Sequence, residues 1–423
     1  MKKTLLMILL SSGIILGREL NLDKAVEMAI NNSKDIKISQ KDVEISKLDV
    51  SKAFKAALPS VTYTGTYTKG EYSREITRNT GTRVQAKEGY YQSIKISQPL
   101  FRGGAVLGGI KGAKAYRKVS DLQYISTQID VRLSTILIYS NIIKYQKDLF
   151  ALKGSLNELK ERHKLQKEQL NLSLITRADI LKTENSILTI ESQIIGTNNL
   201  IDVEMSNLKI KTGIPKNEKV KLVEFSVPEY LTRNIDFQAD MNQAMNQSVK
   251  ALIAKHSVEV QDAGRQVARA DMLPKVNAFA SYGTAGERTK FKRSVDDAEW
   301  QGGIEVSWTV FDFGSSYDSY KIAKLNAEKE KLKEENTKDS IDVNVTQAYL
   351  ELIRLEKLRE AKYKALQASD ENYKIDKERY NEGLISTTDF LGSEEQLRNA
   401  KVEYNQVVID YYYAFEKYRS LII

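Results

Sequence analysis

The segment IKISQPLFRGG at residues 94–104 returns 210 residues later as IEVSWTVFDFG at residues 304–314. Both copies alternate aliphatic and polar residues and then reach a phenylalanine followed by glycine. The same offset pairs Tyr139 with Tyr349 and Asp179 with Asp389. A register kept over such a length indicates that the chain carries two copies of one structural unit.

In each copy the sequence predicts, in order, a helix, a strand, a polar loop, a strand, a very long helix, a short break and a helix. We place the first repeat at residues 18–213, an inter-repeat linker at 214–235 and the second repeat at 236–423. The five prolines fit this plan. Pro59 and Pro274 mark the entry into a strand, Pro99 marks a strand exit, and Pro215 and Pro228 lie in the linker. The pattern predicts an α+β fold.

Two stretches without proline, residues 100–214 and the chain after residue 274, are predicted to form long helices. The first is expected to run from Gly104 to about Leu172, a length of about 100 Å at 1.5 Å per residue. One seven-residue line on the following helix consists of Ile180, Ile187, Ile194, Ile201 and Leu208. Such a line favours left-handed supercoiling against neighbouring helices. Helices of this length are typical of an elongated protein that spans a distance and not of a globular one.

The strand segments are about ten residues long, the length of a tilted strand that crosses a bilayer. In residues 61–67 the threonines share one face, and in residues 304–310 Glu305, Ser307 and Thr309 do the same. A strand that packs on the core of a soluble protein would show the same alternation of polar and apolar residues. A membrane-crossing strand and a strand of a soluble protein therefore both stay open. Four strands cannot close a barrel, and an open edge in lipid leaves backbone groups unsatisfied. If the strands span a membrane, several chains must contribute to one barrel.

The composition argues against most enzyme classes. The chain has 423 residues, no cysteine and two histidines, which excludes disulfides, thiolate catalysis, Cys-ligated zinc and a lipidated cysteine. His163 falls on a leucine seam and is expected to be a polar seam residue. The net charge of +8 is spread along the chain and forms no basic face. We expect no enzymatic activity, cofactor, metal or nucleic-acid partner.

Residues 1–17 have the layout of a secretory signal peptide, with Lys2 and Lys3 before an apolar run and small residues before Gly17. A buried N-terminal helix is the alternative. No later segment approaches the ~18 consecutive apolar residues of a transmembrane helix. The exported chain is therefore soluble, or it crosses a membrane by strands.

Five motifs, taken in their order and duplication, resemble the TolC family of outer-membrane efflux and secretion channels. They are Leu20-x-Leu22-x-x-Ala25, Leu58-Pro59-Ser60, Ser97-Gln98-Pro99-Leu100-Phe101, Leu174-Ile175-Thr176-x-x-Asp179 and Gly383-Leu384-Ile385-Ser386-Thr387-x-Asp389. The resemblance implies an α+β membrane protein with a long helical coiled-coil barrel and four transmembrane β-strands per chain. By the same resemblance, a homotrimer would complete a twelve-stranded barrel.

The resemblance also implies a function and a location. The protein would be the passive exit duct of a tripartite efflux pump or a type I secretion system. It would contact outer-membrane lipid and carry a long periplasmic extension. A periplasmic adaptor (membrane fusion) protein and an inner-membrane transporter of the RND, ABC or MFS class would be its partners.

In this family the helix ends around the two breaks form the periplasmic entrance. Residues that would contact the adaptor are Leu174, Ile175, Thr176, Gly383, Leu384, Ile385 and Ser386. Asp179 and Asp389 would narrow the pore, where three-fold repetition forms carboxylate rings that favour cations. Tyr380 fits the family's closing links, but Ile385 stands where some relatives carry an arginine. We therefore expect Arg177 to supply that cation.

A purely structural role for the same residues stays open. Thr176 and either Ser386 or Thr387 would cap the returning helices, and Asp179 and Asp389 would complement the helix dipoles. The two roles can coexist.

Two other protein classes share some of these features. A periplasmic adaptor is exported and has a helical hairpin, but it normally has one hairpin between β-rich domains. A coiled-coil scaffold would explain the seven-residue lines but not the four threonine- and tyrosine-rich strands.

Overall fold

A computed structural model describes residues 18–69, 75–78, 81–84, 88–286 and 299–423. The first repeat holds β1 (Arg18–Leu20), α1 (Leu22–Asn32), α2 (Lys34–Lys55), β2 (Ser60–Lys69), β3 (Glu75–Arg78), β4 (Gly81–Val84), β5 (Glu88–Arg102), α3 (Ala105–Asn171) and α4 (Arg177–Thr212). The linker holds β6 (Val220–Leu222). The second repeat holds α5 (Phe237–Gln247), α6 (Val249–Ala270), β7 (Lys275–Gly286), β8 (Glu299–Ser307), α7 (Ser315–Asn381) and α8 (Thr387–Ile422). The predicted signal peptide lies outside the described residues.

The helices of the two repeats match in length. Helices α1 and α5 have 11 residues, α2 and α6 have 22, α3 and α7 have 67, and α4 and α8 have 36. The tandem repeat and the long helix predicted from Gly104 to about Leu172 are therefore confirmed. None of the helices in the described part of the chain is long and apolar enough to cross a membrane.

Four strands form one antiparallel sheet in the order β2-β5-β7-β8. Within the described residues, β2 pairs only with β5 and β8 only with β7, so both outer edges are open. Strands β3 and β4 pair with each other, inside the segment predicted to be a polar loop. The rest of that loop and residues 287–298 lie outside the described residues.

The expected strand exit at Pro99 is wrong, because β5 continues to Arg102. The register with β7 shifts between Pro99 and Phe101, which marks a bulge. A bulge accommodates proline inside a sheet because the missing N–H then interrupts no regular ladder bond. The Gln98 side-chain nitrogen Nε2 donates to the carbonyl oxygens of Ala57 and Pro99, both at 2.8 Å, and so stabilises this irregular backbone.

The expected strand through residue 310 is also too long, because β8 ends at Ser307. Ser307 pairs with Lys275, the first residue of β7. The next partner along the ladder would be Pro274, which has no N–H to donate. The proline before one strand thus sets the end of its neighbour.

The packed parts of the chain form two units, each drawn from both repeats. Of the described residues, one unit comprises those within 18–40, 123–251 and 338–423, and the other comprises those within 41–122 and 252–337. In the first unit the seven-residue line of α4 is a buried seam, with Ile180, Ile187 and Leu208 at most 9% exposed. His163 lies beside this seam, as expected of a polar seam residue, and its Nε2 contacts the Glu184 carboxylate of α4 at 2.9 Å.

Tyr139 joins α3 to the small parallel sheet of β1 and β6. Its fully buried hydroxyl lies 2.8 Å from the Leu20 carbonyl oxygen and 2.6 Å from that of Val223. Burial raises the pKa of Tyr139 to about 12, so the hydroxyl keeps its proton at neutral pH. This contact fixes the first described strand and the linker on the helical unit.

Replacing Tyr139 with phenylalanine should loosen β1 and β6. Losing the buried hydroxyl bond costs about 1 kcal/mol, so we expect amide exchange in both strands to rise by about fivefold. Hydrogen–deuterium exchange with mass spectrometry measures this. Tyr349, the repeat counterpart, stacks on Phe237 with ring centroids 4.7 Å apart, and Tyr349→Phe is the matched control without an effect on β1 and β6. Equal exchange in both variants would contradict the assigned role.

Candidate functional site

The two long hairpins turn through the same backbone motif. After α3, Ser173 has a φ of 58°, and after α7, Gly383 has a φ of 75°. The Leu174 amide then donates to the Gln169 carbonyl at 2.9 Å, and the Leu384 amide to the Arg379 carbonyl at 2.8 Å. This is the Schellman motif, in which a residue in the left-handed conformation allows backbone amides after the helix to donate to its last carbonyl oxygens. The first repeat achieves it with serine.

Capping boxes start both returning helices. The Thr176 side chain accepts from the Asp179 amide, and the Asp179 carboxylate accepts from the Thr176 amide at 3.1 Å. Ser386 and Asp389 make the same pair, so Ser386 caps α8 and Thr387 does not. Hydrogen bonds from Thr176 hold the pKa of Asp179 below its usual value. The structural role expected of both aspartates is present.

The other predicted residues at the hairpin ends divide by exposure. Leu174 is 69% exposed and Leu384 67%, so these equivalent leucines of the two turns both face solvent. Ile385, where the resemblance implied an arginine in some relatives, is half-buried and packs against the apolar cluster that contains Phe390. The other predicted residues that are exposed are Thr176, Arg177, Gly383, Ser386 and Asp389, whereas Ile175 and Asp179 are half-buried.

Arg162 of α3 contacts an aromatic pair of the second hairpin. The rings of Tyr380 and Phe390 stack with centroids 4.8 Å apart and planes 20° apart. The Arg162 guanidinium carbon lies 4.9 Å from the first centroid and 5.0 Å from the second. Its Nη1 also donates to the Asn381 side-chain oxygen at 2.7 Å. One cation therefore binds both helices of the second hairpin.

Polar contacts add to this junction. The fully buried Gln166 donates to the Tyr380 hydroxyl at 2.8 Å, and that hydroxyl lies 3.1 Å from the Thr387 hydroxyl. Nearer the turns, Lys182 Nζ donates to the Thr388 hydroxyl at 2.8 Å. We call the set Arg162, Gln166, Tyr380, Asn381, Thr387 and Phe390 the hairpin junction.

The cation that contacts Tyr380 is Arg162, whereas sequence reasoning pointed to Arg177. Arg177 is exposed, and no side-chain partner for it is found among the described residues. The break motif gave no sign of Arg162, which lies nine residues, or about two and a half turns, before the end of α3. The available signal was local: Arg162 and Gln166 are four residues apart and so share one helix face beside the buried Leu159.

The four-stranded sheet of the other unit has one apolar and one polar face. Cross-strand rows on the apolar face are Val61–Ile96–Ala280–Gly302 and Tyr63–Ile94–Tyr282–Trp300. The alternating rows on the polar face are Thr62–Lys95–Ser281–Gln301 and Ser60–Ser97–Phe279–Gly303. The large side chains of the apolar rows are exposed. An exposed apolar face of this extent marks a surface that contacts lipid or protein.

Comparison with protein families gives one match over most of the chain. The family model described as "Outer membrane efflux protein" matches residues 25–210 and 241–421. These two ranges fall within the two repeats.

Two curated relatives are similar to this chain. Alkaline protease secretion protein AprF of Pseudomonas aeruginosa is 24% identical over 321 residues, which cover 73% of this chain and 65% of that protein. The match therefore spans slightly less than two thirds of AprF. Proteases secretion protein PrtF of Dickeya chrysanthemi is 20% identical over 417 residues, which cover 96% of this chain and 88% of the relative.

Solved structures share the fold. The crystal structure of the Campylobacter jejuni CmeC outer membrane channel matches with a TM-score of 0.80 and 18% identity. The match covers 95% of this chain and 85% of that one. The fold class expected from the motifs is thereby confirmed.

The hairpin junction predicts a measurable coupling between Arg162 and Phe390. A double-mutant cycle of Arg162→Met and Phe390→Leu should give a coupling energy of about 1 kcal/mol, because a half-buried cation loses its aromatic face. Hydrogen exchange of the peptide that spans residues 380–390 reports the opening free energy. Arg177→Met in the same cycle is the control and should show no coupling. Coupling to Arg177 instead of Arg162 would refute the assignment.

Proposed function

Because the chain belongs to the outer membrane efflux protein family, we propose that it is the exit duct of a tripartite efflux pump or a type I secretion system. The resemblance to the TolC family is confirmed, and the protein acts in the outer membrane. Its family and fold are those of channel proteins, so the adaptor and scaffold alternatives fall away. The duct is passive and catalyses no reaction.

The open amphipathic sheet is the observation that carries this proposal. Its apolar face suits lipid, and its polar face suits a water-filled interior. Strands in lipid must satisfy every backbone group, yet β2 and β8 each have an open edge in the described structure. Pairing β8 of one copy with β2 of the next removes both edges. Three copies of four strands complete a twelve-stranded barrel, and the protein is a homotrimer.

A helical surface supports the same assembly. Leu181, Leu188 and Ile195 lie seven residues apart on α4, beside the buried seam, and each is more than half exposed. An apolar line of this period packs against another helix. A second copy of the chain supplies such helices. The helical parts of three chains then enclose the periplasmic duct.

The hairpin ends provide the docking surface for a periplasmic adaptor. Leu174 and Leu384 are exposed at equivalent turns, so a trimer presents six such leucines. Ile175, Thr176, Gly383, Ile385 and Ser386 complete the contact surface. An inner-membrane transporter of the RND, ABC or MFS class delivers the cargo. The names of the two curated relatives favour secreted protein as one class of cargo.

Asp179 and Asp389 form the carboxylate rings at the entrance. Both lie one turn after a hairpin end, where the capping boxes fix the carboxylates. The low pKa of Asp179 keeps its charge at neutral pH. Tyr380 belongs to the hairpin junction, so opening the entrance requires the contacts of Arg162 and Gln166 to part. Arg162 takes the closing role that the sequence suggested for Arg177.

Conductance in planar bilayers tests the proposal. The purified protein should form cation-preferring channels, and Asp389→Asn should lower the cation-to-anion permeability ratio by about twofold. Asparagine keeps a side-chain oxygen that accepts from the Ser386 amide and removes only the charge. Glu395→Gln, an exposed acid further along the same helix, is the control and should leave the ratio unchanged.

Two results would contradict parts of this account. An unchanged ratio in Asp389→Asn and in Asp179→Asn would remove the carboxylates from the pore. Recovery of the protein in a soluble fraction, with no heat-modifiable oligomer and no conductance, would refute the channel itself.

A further inference from the structure

One phenylalanine interrupts the polar face of the four-stranded sheet. Phe279 of β7 lies in the row Ser60–Ser97–Phe279–Gly303, in which its neighbours are hydroxyl residues and a glycine. Its ring reaches over β8, because a Cβ atom placed on Gly303 would lie 3.6 Å from the nearest ring carbon. The opposite face of the sheet carries the apolar side chains that suit lipid, so contact with lipid does not account for Phe279.

A lysine of the adjacent strand occupies the face of that ring. Lys95 of β5 belongs to the next row of the polar face, Thr62–Lys95–Ser281–Gln301, and its Nζ lies 5.0 Å from the Phe279 ring centroid. This distance is that of a cation–π contact. The ring attracts the ammonium group but has no net charge, so Lys95 is held in place and keeps its full positive charge.

No carboxylate neutralises Lys95 within the described part of the sheet. Lys95 is exposed, and it makes no ion pair with the residues that the structure describes. The acidic residues on the polar face of the described strands are Glu299 and Glu305, and both lie on β8, two strands away from β5. Lys275, another lysine of this face, differs because it pairs with Asp271 at 2.9 Å. Lys95 is therefore a fixed cation without a salt-bridge partner.

The two repeats place opposite charges at this position of the sheet. The 210-residue offset pairs Lys95 with Glu305, while the preceding residues, Ile94 and Ile304, are the same. Both charged side chains belong to the polar face, so the alternating pattern is shared and the sign of the charge is not. The shared strand pattern forms with either sign, so the geometry of the sheet does not explain the lysine.

In the proposed barrel the polar face lines the lumen, and Lys95 occurs three times. Twelve strands that are about 4.8 Å apart and tilted by about 40° give a backbone radius of about 12 Å. The Debye length is about 30 Å in 0.01 M salt, about 10 Å in 0.1 M salt and about 3 Å in 1 M salt. At low ionic strength the three ammonium groups therefore lie within one Debye length of the barrel axis. Their field acts on every ion that passes.

We propose that Lys95, held over the ring of Phe279, is an anion-binding subsite of the lumen, with carboxylate or phosphate groups of passing cargo as its ligands. The hydroxyl groups of Thr62 and Ser281 lie in the same row and supply neutral donors beside the ammonium group. The subsite opposes the carboxylates proposed at the hairpin ends, so the two parts of the duct favour ions of opposite sign. The inference rests on the proposed barrel and assigns the chemistry of its inner face.

Reversal potentials of the full-length protein in planar bilayers test the charge of the subsite. Lys95→Met keeps an unbranched side chain that packs on the Phe279 ring, and it removes the charge. Under a potassium chloride gradient near about 0.03 M, we expect the cation-to-anion permeability ratio to rise by about 1.5-fold. Near about 1 M salt the change should vanish, because the field is screened. Lys95→Arg should retain the wild-type ratio, and Gln301→Met, an uncharged change in the same row, is the control without an effect.

Block of the current by polyvalent anions tests binding itself. Inorganic triphosphate and citrate, added in separate experiments, should each reduce the wild-type current, and the Kd for block should rise by about threefold in Lys95→Met. Either order of the two affinities supports the subsite and shows whether phosphate or carboxylate is the favoured ligand. Phe279→Leu keeps the charge and removes the ring, so it should weaken the block by about twofold and leave the permeability ratio unchanged.

The contradicting results separate the subsite from the proposed function. A wild-type protein without conductance would refute the channel. A conducting Lys95→Met channel with the wild-type ratio and the wild-type block would overturn the subsite and leave the channel intact. An equal shift in Gln301→Met, or a shift that persists near about 1 M salt, would overturn it as well, because the effect would then come from the shape of the lumen. If Lys95→Met forms no heat-modifiable oligomer, an unchanged block in Phe279→Leu overturns the subsite by itself.

Discussion

Unsatisfied backbone hydrogen bonds at the open edges of β2 and β8 are the constraint on which the proposed assembly depends. A sheet in lipid has no water to replace the missing partners, and each unpaired group costs several kcal/mol. The chain offers only four strands in the described sheet, and both outer strands have an open edge. The same four strands carry an apolar face that excludes water. If further copies of the chain pair with β2 and β8, the sheet closes into a barrel. This one interface satisfies the open strand edges and leaves the apolar face toward lipid.

The helical hairpins depend on local rules applied twice. Equivalent helices have equal lengths, both long helices end in a left-handed residue, and both returning helices begin with a capping box. The repeats differ in side chains that make specific contacts. The first supplies Arg162 and Gln166, and the second supplies the stacked Tyr380 and Phe390. The features that the two repeats share thus determine the helices and their turns. The side chains that differ between the repeats form the hairpin junction.

Features that depend on local pattern could be predicted from the sequence. The offset between Ile94 and Ile304 revealed the repeat, the lack of proline indicated the helices, and Thr176 with Asp179 signalled a cap. Features that depend on distant residues could not. The end of β8 follows from Pro274 in the neighbouring strand, and Arg162 meets aromatic rings more than two hundred residues away. The two packing units mix both repeats and have no signature in the order of the sequence.

Disulfide trapping of the sheet edges tests the central claim most directly, because the chain has no cysteine of its own. Cysteines are introduced pairwise, one on β2 and one on β8, over a range of registers, and outer membranes are oxidised. The account predicts that one register gives covalent species that stop at three chains. Species that extend beyond three chains, or bonds formed only within one chain, would contradict a closed trimeric barrel.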